Sequence, residues 1–155
     1  MAVKKIPDGF HTITPHIVVR DAKGAIEFYK RAFSAEEIGR APTPDGAKIM
    51  HAMVRIGNSF LMLNDEFPEM GAHSPTKQGG TAVTITLYVE DADRVFNQAV
   101  KAGAEVVMPL ADQFWGDRYG VLKDPYGHQW AVATHIKDLT PQEIQKAAAA
   151  CFGGT

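Results

Sequence analysis

The chain has 155 residues, of which 45% are apolar and 22% are charged, a composition typical of a soluble globular domain that can bury a core without disulfides. A net charge of −2 argues against a nucleic-acid partner and against binding to an anionic membrane, and no apolar run approaches the length of a membrane span. Cys151 is the only cysteine, so no intrachain disulfide can form, and the first residues lack an apolar signal-peptide core. A cytoplasmic location is expected.

The second half of the sequence repeats the first at an interval of about 70 residues. The pattern Val-x-Asp-Ala occurs at 19–22 and again at 89–92, and each copy leads into apolar residues at helical spacing. A period of this length corresponds to a whole supersecondary unit. Two such units are expected to fold together around a shared groove.

The first unit is predicted to begin with a strand over 12–20, after which Asp21 caps a helix over 22–33. A hairpin follows, with strands over 48–56 and 59–64 that are joined at Gly57-Asn58. Between the two units, residues 66–80 are rich in proline and glycine and are predicted to form a mobile linker.

The second unit is predicted to repeat this order, with a strand over 81–89 and a helix that is capped by Asp91 and ends at Gly103. Short strands follow near 106–108, 118–122 and 129–134, and a turn over 124–127 precedes the last of them. Thr140 and Glu143 form a capping-box sequence, which predicts a helical tail over 140–151 that packs either on its own chain or on a partner.

These elements resemble the glyoxalase/bleomycin-resistance/dioxygenase superfamily, also called vicinal oxygen chelate, and in particular its PhnB-like branch. The resemblance covers about residues 10–136 and rests on the segments 14–19, 51–52, 61–63 and 114–120, together with the Asp-Pro-x-Gly turn at 124–127. It implies an α+β fold in which two βαβββ modules form a curved mixed sheet around a central groove. Residues 1–155 would then be a single domain with repeats over 10–65 and 81–136. A homodimer is also implied, because family members commonly complete or flank the groove with a two-fold partner.

Enzymes of this family hold a divalent metal with four side chains, and the resemblance places those positions at Thr14, Met62, Thr84 and Ala131. None of these residues is a good ligand for such an ion, which prefers a histidine nitrogen or a carboxylate oxygen. The prediction is therefore that the groove holds no metal and no other cofactor. A displaced site for a divalent ion such as zinc, held by His16 and His51, is the alternative.

Strand alternation predicts which other side chains line the groove. His16 and His51 in the first module, and Thr86 and Tyr88 in the second, share a face with the four positions. The opposite face, which includes Trp130, is expected to pack beneath the helices. The groove is thus predicted to combine polar, aromatic and small side chains, a lining typical of a small-molecule site.

One loop is predicted to contact the ligand from the groove mouth, and it carries Phe114, Trp115, Arg118 and Tyr119. Two adjacent aromatic residues cannot both be buried on one strand face, so Trp115 or Phe114 is expected to stack on a flat ligand. Arg118 or Tyr119 would then supply polar contacts. The alternative is that Trp115 packs on its own loop while Asp117 and Arg118 form a surface ion pair.

The preferred hypothesis is a metal-independent protein that holds a planar or hydrophobic small molecule in the groove. One alternative is a metalloenzyme (a lyase, isomerase or dioxygenase) with a displaced metal site. Another is a metal-free enzyme in which His16 or His51 acts as a general base. The residues alone do not form a set of nucleophile, base and orienting group that would decide whether the protein is an enzyme.

Overall fold

The computed structural model describes residues 2–153, which form two βαβββ modules and a C-terminal helix. The first module contains β1 (His16–Val19), α1 (Ala22–Phe33), β2 (Glu36–Pro42), β3 (Ile49–Ile56) and β4 (Ser59–Asp65). A 3₁₀ turn (Pro68–Met70) and the short helix α2 (Pro75–Gln78) connect it to the second module. That module contains β5 (Thr84–Tyr88), α3 (Ala92–Ala102), β6 (Glu105–Asp112), β7 (Asp117–Lys123) and β8 (Gln129–His135), and α4 (Pro141–Phe152) follows. The α+β architecture of two repeated modules is confirmed.

Each module contributes one four-stranded mixed sheet. The strand orders are β1-β4-β3-β2 and β5-β8-β7-β6, and no strand of one sheet is hydrogen-bonded to the other within residues 2–153. In each sheet the pair formed by the first and last strands is parallel, and the other pairs are antiparallel. The curved sheet expected from the sequence is therefore present as two separate halves, each with two open edges.

The main helices begin and end where the sequence predicts. The carboxylate of Asp21 accepts a hydrogen bond from the Gly24 amide at 3.0 Å, and Asp91 accepts one from the Arg94 amide at the same distance. The residue after α3 is Gly103, with a φ of 118°, a backbone conformation that suits glycine and stops the helix. Both modules thus use one aspartate cap, which explains the repeated Val-x-Asp-Ala pattern.

The strands at the sheet edges are the elements that the sequence identified least well. No strand was predicted at β2, and β6 extends beyond the predicted 106–108. Nearly every side chain of β2 is exposed, so its sequence lacks the alternation of apolar and polar residues that marks a half-buried strand. Its register shifts against β3 further obscure the pattern.

The segment predicted as a mobile linker has defined structure. Ser74 is completely buried, and its backbone amide donates to the Glu66 carboxylate at 2.9 Å, with its hydroxyl donating to the same oxygen at 2.5 Å. These bonds lower the pKa of the Glu66 carboxyl. The proline and glycine residues here shape the 3₁₀ turn and α2 rather than leaving the segment without structure.

The two modules share one core, which lies between the two sheets and contains α1 and α3. Trp130 of β8 is almost completely buried and packs on α1, with its ring centre 5.3 Å from that of Tyr29 and 4.7 Å from that of Phe33. The helices contact each other directly, since the Gln98 amide donates to the Arg31 carbonyl at 2.9 Å. The expected position of Trp130 beneath a helix is confirmed, although that helix belongs to the other module.

This shared core determines the direction in which each sheet face points. The apolar face of each sheet packs on the helix of its own module, and α1 and α3 pack on each other, so the opposite face of each sheet turns away from the shared core. The polar positions of the two modules therefore do not line a common groove within one chain. We call these surfaces outer face 1, on β1–β4, and outer face 2, on β5–β8.

Helix α4 forms as its capping-box sequence predicts. The Thr140 hydroxyl accepts from the Glu143 amide at 3.2 Å, and the Glu143 carboxylate accepts from the Thr140 amide at 2.8 Å. The helix contacts its own chain where the Phe152 ring centre lies 6.1 Å from that of Phe114, but none of its residues is buried. Neither α4 nor any other helix within residues 2–153 is long and apolar enough to cross a membrane.

Candidate functional site

Outer face 1 brings the two predicted histidines together. The ring centres of His16 on β1 and His51 on β3 are 5.7 Å apart, with the rings edge to face. The Met62 side chain is on the same face, because Met62 lies opposite His16 in the parallel ladder. The alternation of side chains along β1, β3 and β4 therefore places these residues as the sequence predicts.

Asn64 orients the His16 ring. The Asn64 amide nitrogen donates to the Asp65 carbonyl at 2.8 Å, which leaves its side-chain oxygen to accept from Nε2 of His16 at 2.6 Å. In the neutral imidazole, Nδ1 of His16 then carries a lone pair. This arrangement can accept a proton or a hydrogen bond from a small molecule.

Outer face 2 is organised around the carboxylate of Asp117, which is only 3% exposed. One of its oxygens accepts from the Tyr88 hydroxyl at 2.7 Å and from the Trp115 indole nitrogen at 3.0 Å. The other oxygen is 2.8 Å from Nδ1 of His135. One buried carboxylate thus fixes the orientation of three side chains on an open face.

The protonation of these groups follows from their hydrogen bonds. Burial works to raise the pKa of the Asp117 carboxyl, but hydrogen bonds from His135, Tyr88 and Trp115 outweigh it and hold that pKa below its usual range. The hydrogen bond to Asp117, together with burial, raises the pKa of the Tyr88 hydroxyl. Asp117 is therefore ionised, and Tyr88 is a neutral donor, at physiological pH.

His135 bridges two carboxylates. Its Nε2 is 2.8 Å from the exposed carboxylate of Asp138, while Nδ1 faces Asp117. The hydrogen bond to Asp138 and then the one to Asp117 raise the pKa of the imidazole. Both ring nitrogens are occupied, so His135 is suited to fixing charge on this face and poorly suited to acting as a free base.

The four positions that the family uses for a metal do not fit a divalent ion in this chain. The Thr14 hydroxyl donates to the His11 carbonyl at 3.2 Å, and the Thr84 hydroxyl accepts from the Gln129 amide at 2.7 Å. Ala131 is completely buried and has no donor atom, and Met62 offers only a thioether. No group of three or more histidine, cysteine, aspartate or glutamate side chains within residues 2–153 is arranged to hold a metal ion.

The aromatic loop divides between two environments. Trp115 is half-buried on outer face 2, where its ring centre is 5.3 Å from that of Tyr119. Phe114 contacts Trp115 on one side and Phe152 of α4 on the other. Trp115 thus contacts its own loop, as one alternative expected, and remains only half-buried, so a ligand could still contact it.

Arg118 points away from outer face 2. Its guanidinium donates to Asp93 of α3 at 2.6 and 2.8 Å and to Asp112 of β6 at 2.9 Å. Strand alternation explains this, because Asp117 and Tyr119 occupy the other face of β7. The alternative ion pair between Asp117 and Arg118 is wrong for the same reason.

Three residues that organise these faces were not among the predicted site residues. Asn64, Asp117 and His135 all have the strand parity of the outer faces, and Asp117 lies directly opposite His135 in the β7–β8 ladder. The parity of His135 and Asn64 could be read from the sequence. Their importance could not, because it depends on which acceptors the ladders bring within hydrogen-bonding distance.

Comparisons with known proteins identify the family of this chain and relatives that share its fold. The family model described as Glyoxalase/Bleomycin resistance protein/Dioxygenase superfamily matches residues 9–132. An uncharacterised protein of Mycobacterium bovis is 51% identical over 138 residues, which cover 87% of this chain and 90% of that protein.

Similar solved structures include the following two. TioX from Micromonospora sp. ML1 has a TM-score of 0.65 at 26% identity, covering 81% of this chain and 99% of TioX. A PhnB protein of Bacillus cereus, described as a putative 3-demethylubiquinone-9 3-methyltransferase, has a TM-score of 0.60 at 20% identity, covering 80% of this chain and 99% of its own. The second likeness is one of fold alone. With its paired βαβββ modules and a family match over most of its length, the chain belongs to the glyoxalase/bleomycin resistance protein/dioxygenase superfamily.

Proposed function

We propose that this chain is a metal-independent binding protein for a planar or hydrophobic small molecule. The observation that carries the proposal is the Asp117 cluster, in which a buried carboxylate holds Tyr88 and Trp115 in fixed orientations on an open face. Aromatic side chains held in place before the ligand arrives reduce the entropy lost on binding. Trp115 and Tyr119 would contact the flat surface of the ligand, and Thr86 and the Tyr88 ring would border it.

The ligand is proposed to lie between two subunits, with outer face 2 of one chain opposed to outer face 1 of its partner. The support is geometric, because the sheets are separate and each outer face turns away from the core that the two modules share. In a homodimer, His16, His51 and Met62 of one subunit would then face the aromatic residues of the other. Two-fold symmetry would give two identical sites.

A cytoplasmic location belongs to this proposal. Its support is the cysteine content, since a chain with Cys151 alone cannot form an intrachain disulfide and has no need of an oxidising compartment.

The test is a titration of protein purified without added metal against a panel of quinones and aromatic antibiotics, followed by calorimetry. We expect saturable binding that EDTA leaves unchanged, and we expect Trp115→Ala to weaken it by about threefold to tenfold, because one aromatic contact is lost. Phe152→Ala, which removes an exposed aromatic ring from α4, is the matched control and should bind normally. Binding that requires zinc, or one zinc ion per chain bonded directly at Thr14 or Thr84, would contradict the proposal.

A metal-free enzyme is the second candidate, and the Asn64–His16 pair is the observation that favours it. The bond from Nε2 of His16 to Asn64 leaves Nδ1 able to accept a proton, as a general base requires. Mass spectrometry of a ligand recovered after long incubation distinguishes the candidates. Recovery of unchanged ligand supports the binding protein, whereas conversion that is abolished in His16→Gln supports the enzyme.

A further inference from the structure

A cavity opens between the two modules on the inner side of the sheets, and edge strand β5 forms part of its rim, where it includes Thr86 and Tyr88 of outer face 2. It is a cleft of about 900 Å³ at the edge of the shared core, and residues of α1 and α3 line part of it. Its volume is within the range of small-molecule sites in proteins. The proposed function leaves this cleft without a role.

Apolar side chains contribute to both walls of the cleft and close its deep end, beside polar residues that include Ser34, Asn58 and Ser59. Ile56 and Leu61 line the wall contributed by the first module, and Ile85 and Leu87 line the wall contributed by the second. Phe33 and Trp130 close the deep end. Ile56, Ile85 and Leu87 are only partly buried, so an apolar molecule in the cleft would remove more of their surface from water.

The mouth of the cleft is cationic on the α3 side. Arg94 and Gln98 line the cleft and also an adjoining depression of about 560 Å³, whose other lining residues include Arg31 and Lys101 and no acidic residue. Arg94 forms no ion pair within residues 2–153. Among the residues that the structure describes, Glu36 is the one acidic residue that lines the cleft itself, and it forms an ion pair with Arg55.

We propose that this cleft binds an amphipathic anion, a molecule with an apolar body and one carboxylate. The apolar body lies between the walls and reaches toward Trp130, and the carboxylate lies at Arg94 near Arg31 and Lys101. An arginine without an ion pair can form a charge-assisted, bidentate hydrogen bond with a carboxylate. The apolar residues of the walls favour an apolar body for the ligand, and the positive charge at the mouth favours a negatively charged head group.

The position of Trp130 provides a direct measurement. The chain has two tryptophans, so in a Trp115→Phe protein the fluorescence comes from Trp130 alone. The probe is 11-bromoundecanoic acid, whose terminal bromine quenches only an indole that it reaches. We expect saturable quenching by the acid and binding about fivefold to tenfold weaker for the neutral 11-bromo-1-undecanol, because the alcohol lacks the charge that pairs with Arg94.

Two variants of the same Trp115→Phe protein locate the head group. Arg94→Gln should weaken the acid by about fivefold to tenfold and leave the affinity of the alcohol unchanged. Lys146→Gln on α4 makes the same change of charge far from the cleft and should affect neither probe. The proposal is overturned if the acid does not quench Trp130 in the native assembly, as when a second copy of the chain fills the cleft, or if Arg94→Gln and Lys146→Gln behave alike.

Discussion

Asp117 and His135 occupy opposed positions on neighbouring strands, with Nδ1 of His135 2.8 Å from a carboxylate oxygen of Asp117. This pair lies in the second module, whereas in the first module, as far as residues 2–153 show, a histidine contacts an amide: His16 is bonded to Asn64. The two repeats thus keep the same backbone pattern and carry different polar groups. A ligand between two subunits would meet the carboxylate–imidazole pair on one side and the amide–imidazole pair on the other.

The stability of the protein should depend on pH through His135. Its pKa is raised in the folded state, so folding takes up protons near and above the ordinary histidine pKa of about 6.5. The contribution is fully present below that pH and is lost as pH rises through the folded pKa. We expect the free energy of unfolding in urea to fall from pH 6 to pH 8, and to fall less in His135→Gln. An equal decrease in both proteins would contradict this assignment.

Removal of the Asp117 charge should destabilise the protein. Asp117→Asn leaves the donors of Tyr88, Trp115 and His135 competing for one oxygen, and a cost of about 1–3 kcal/mol in unfolding free energy is expected. Asp138→Asn is the matched control, because it removes the other carboxylate bonded to His135 from a fully exposed position; its effect should be smaller than that of Asp117→Asn. Urea denaturation followed by tryptophan fluorescence measures both, and similar losses in the two variants would show that the buried position of Asp117 is unimportant.

Asp124 is predicted to join the modules through Tyr29. The Tyr29 hydroxyl is buried and donates to Asp124 at 2.6 Å, and burial together with this carboxylate raises the pKa of Tyr29 well above its ordinary value. Tyr29→Phe removes a hydrogen bond to a charged group and should cost about 1.5–3 kcal/mol of unfolding free energy.

Tyr126→Phe is the control for this prediction. The Tyr126 ring is also buried, but its hydroxyl has no hydrogen-bond partner within residues 2–153. Loss of the same atom should therefore change the unfolding free energy by less than the loss at Tyr29. A larger loss of unfolding free energy in Tyr126→Phe than in Tyr29→Phe would show that the Tyr29–Asp124 bond is not an important contact between the modules.

The proposed homodimer predicts that two exposed apolar residues become buried. Ile13 and Val83 precede β1 and β5, occupy equivalent positions in the two repeats, and are 83% and 64% exposed in one chain. Sedimentation equilibrium of the wild type should give the mass of a dimer. Ile13→Asp and Val83→Asp should each shift it toward the monomer, because a buried unpaired charge is costly.

Met70→Asp serves as the control for the dimer prediction. Met70 is 80% exposed but lies in the segment between the modules, away from the edges of the sheets. This variant should sediment as the wild type does. A monomeric wild type, or dissociation in all three variants, would count against the dimer.

The regular part of the fold could be predicted because local signals agree there. Asp21 and Asp91 cap helices whose apolar residues recur at helical spacing, and Gly57 allows the tight turn between β3 and β4. Edge strand β2 could not be predicted, because its exposed side chains carry no alternating pattern. The same alternation placed His16, His51 and Tyr88 on the outer faces correctly.

The sequence by itself determined the two repeated modules, their helix caps, the family, and the face of the sheet on which each strand residue lies. All of these follow from local periodicity and from short-range hydrogen bonds. Only the tertiary structure decided that the modules pack through α1 and α3, that Trp130 lies against the helix of the other module, and that each outer face turns away from the shared core. It also made Asp117 an acceptor for three side chains. These features depend on contacts between residues far apart in the chain. The pattern of apolar residues within one strand or helix shows which face is buried, but it does not show which other element that face contacts.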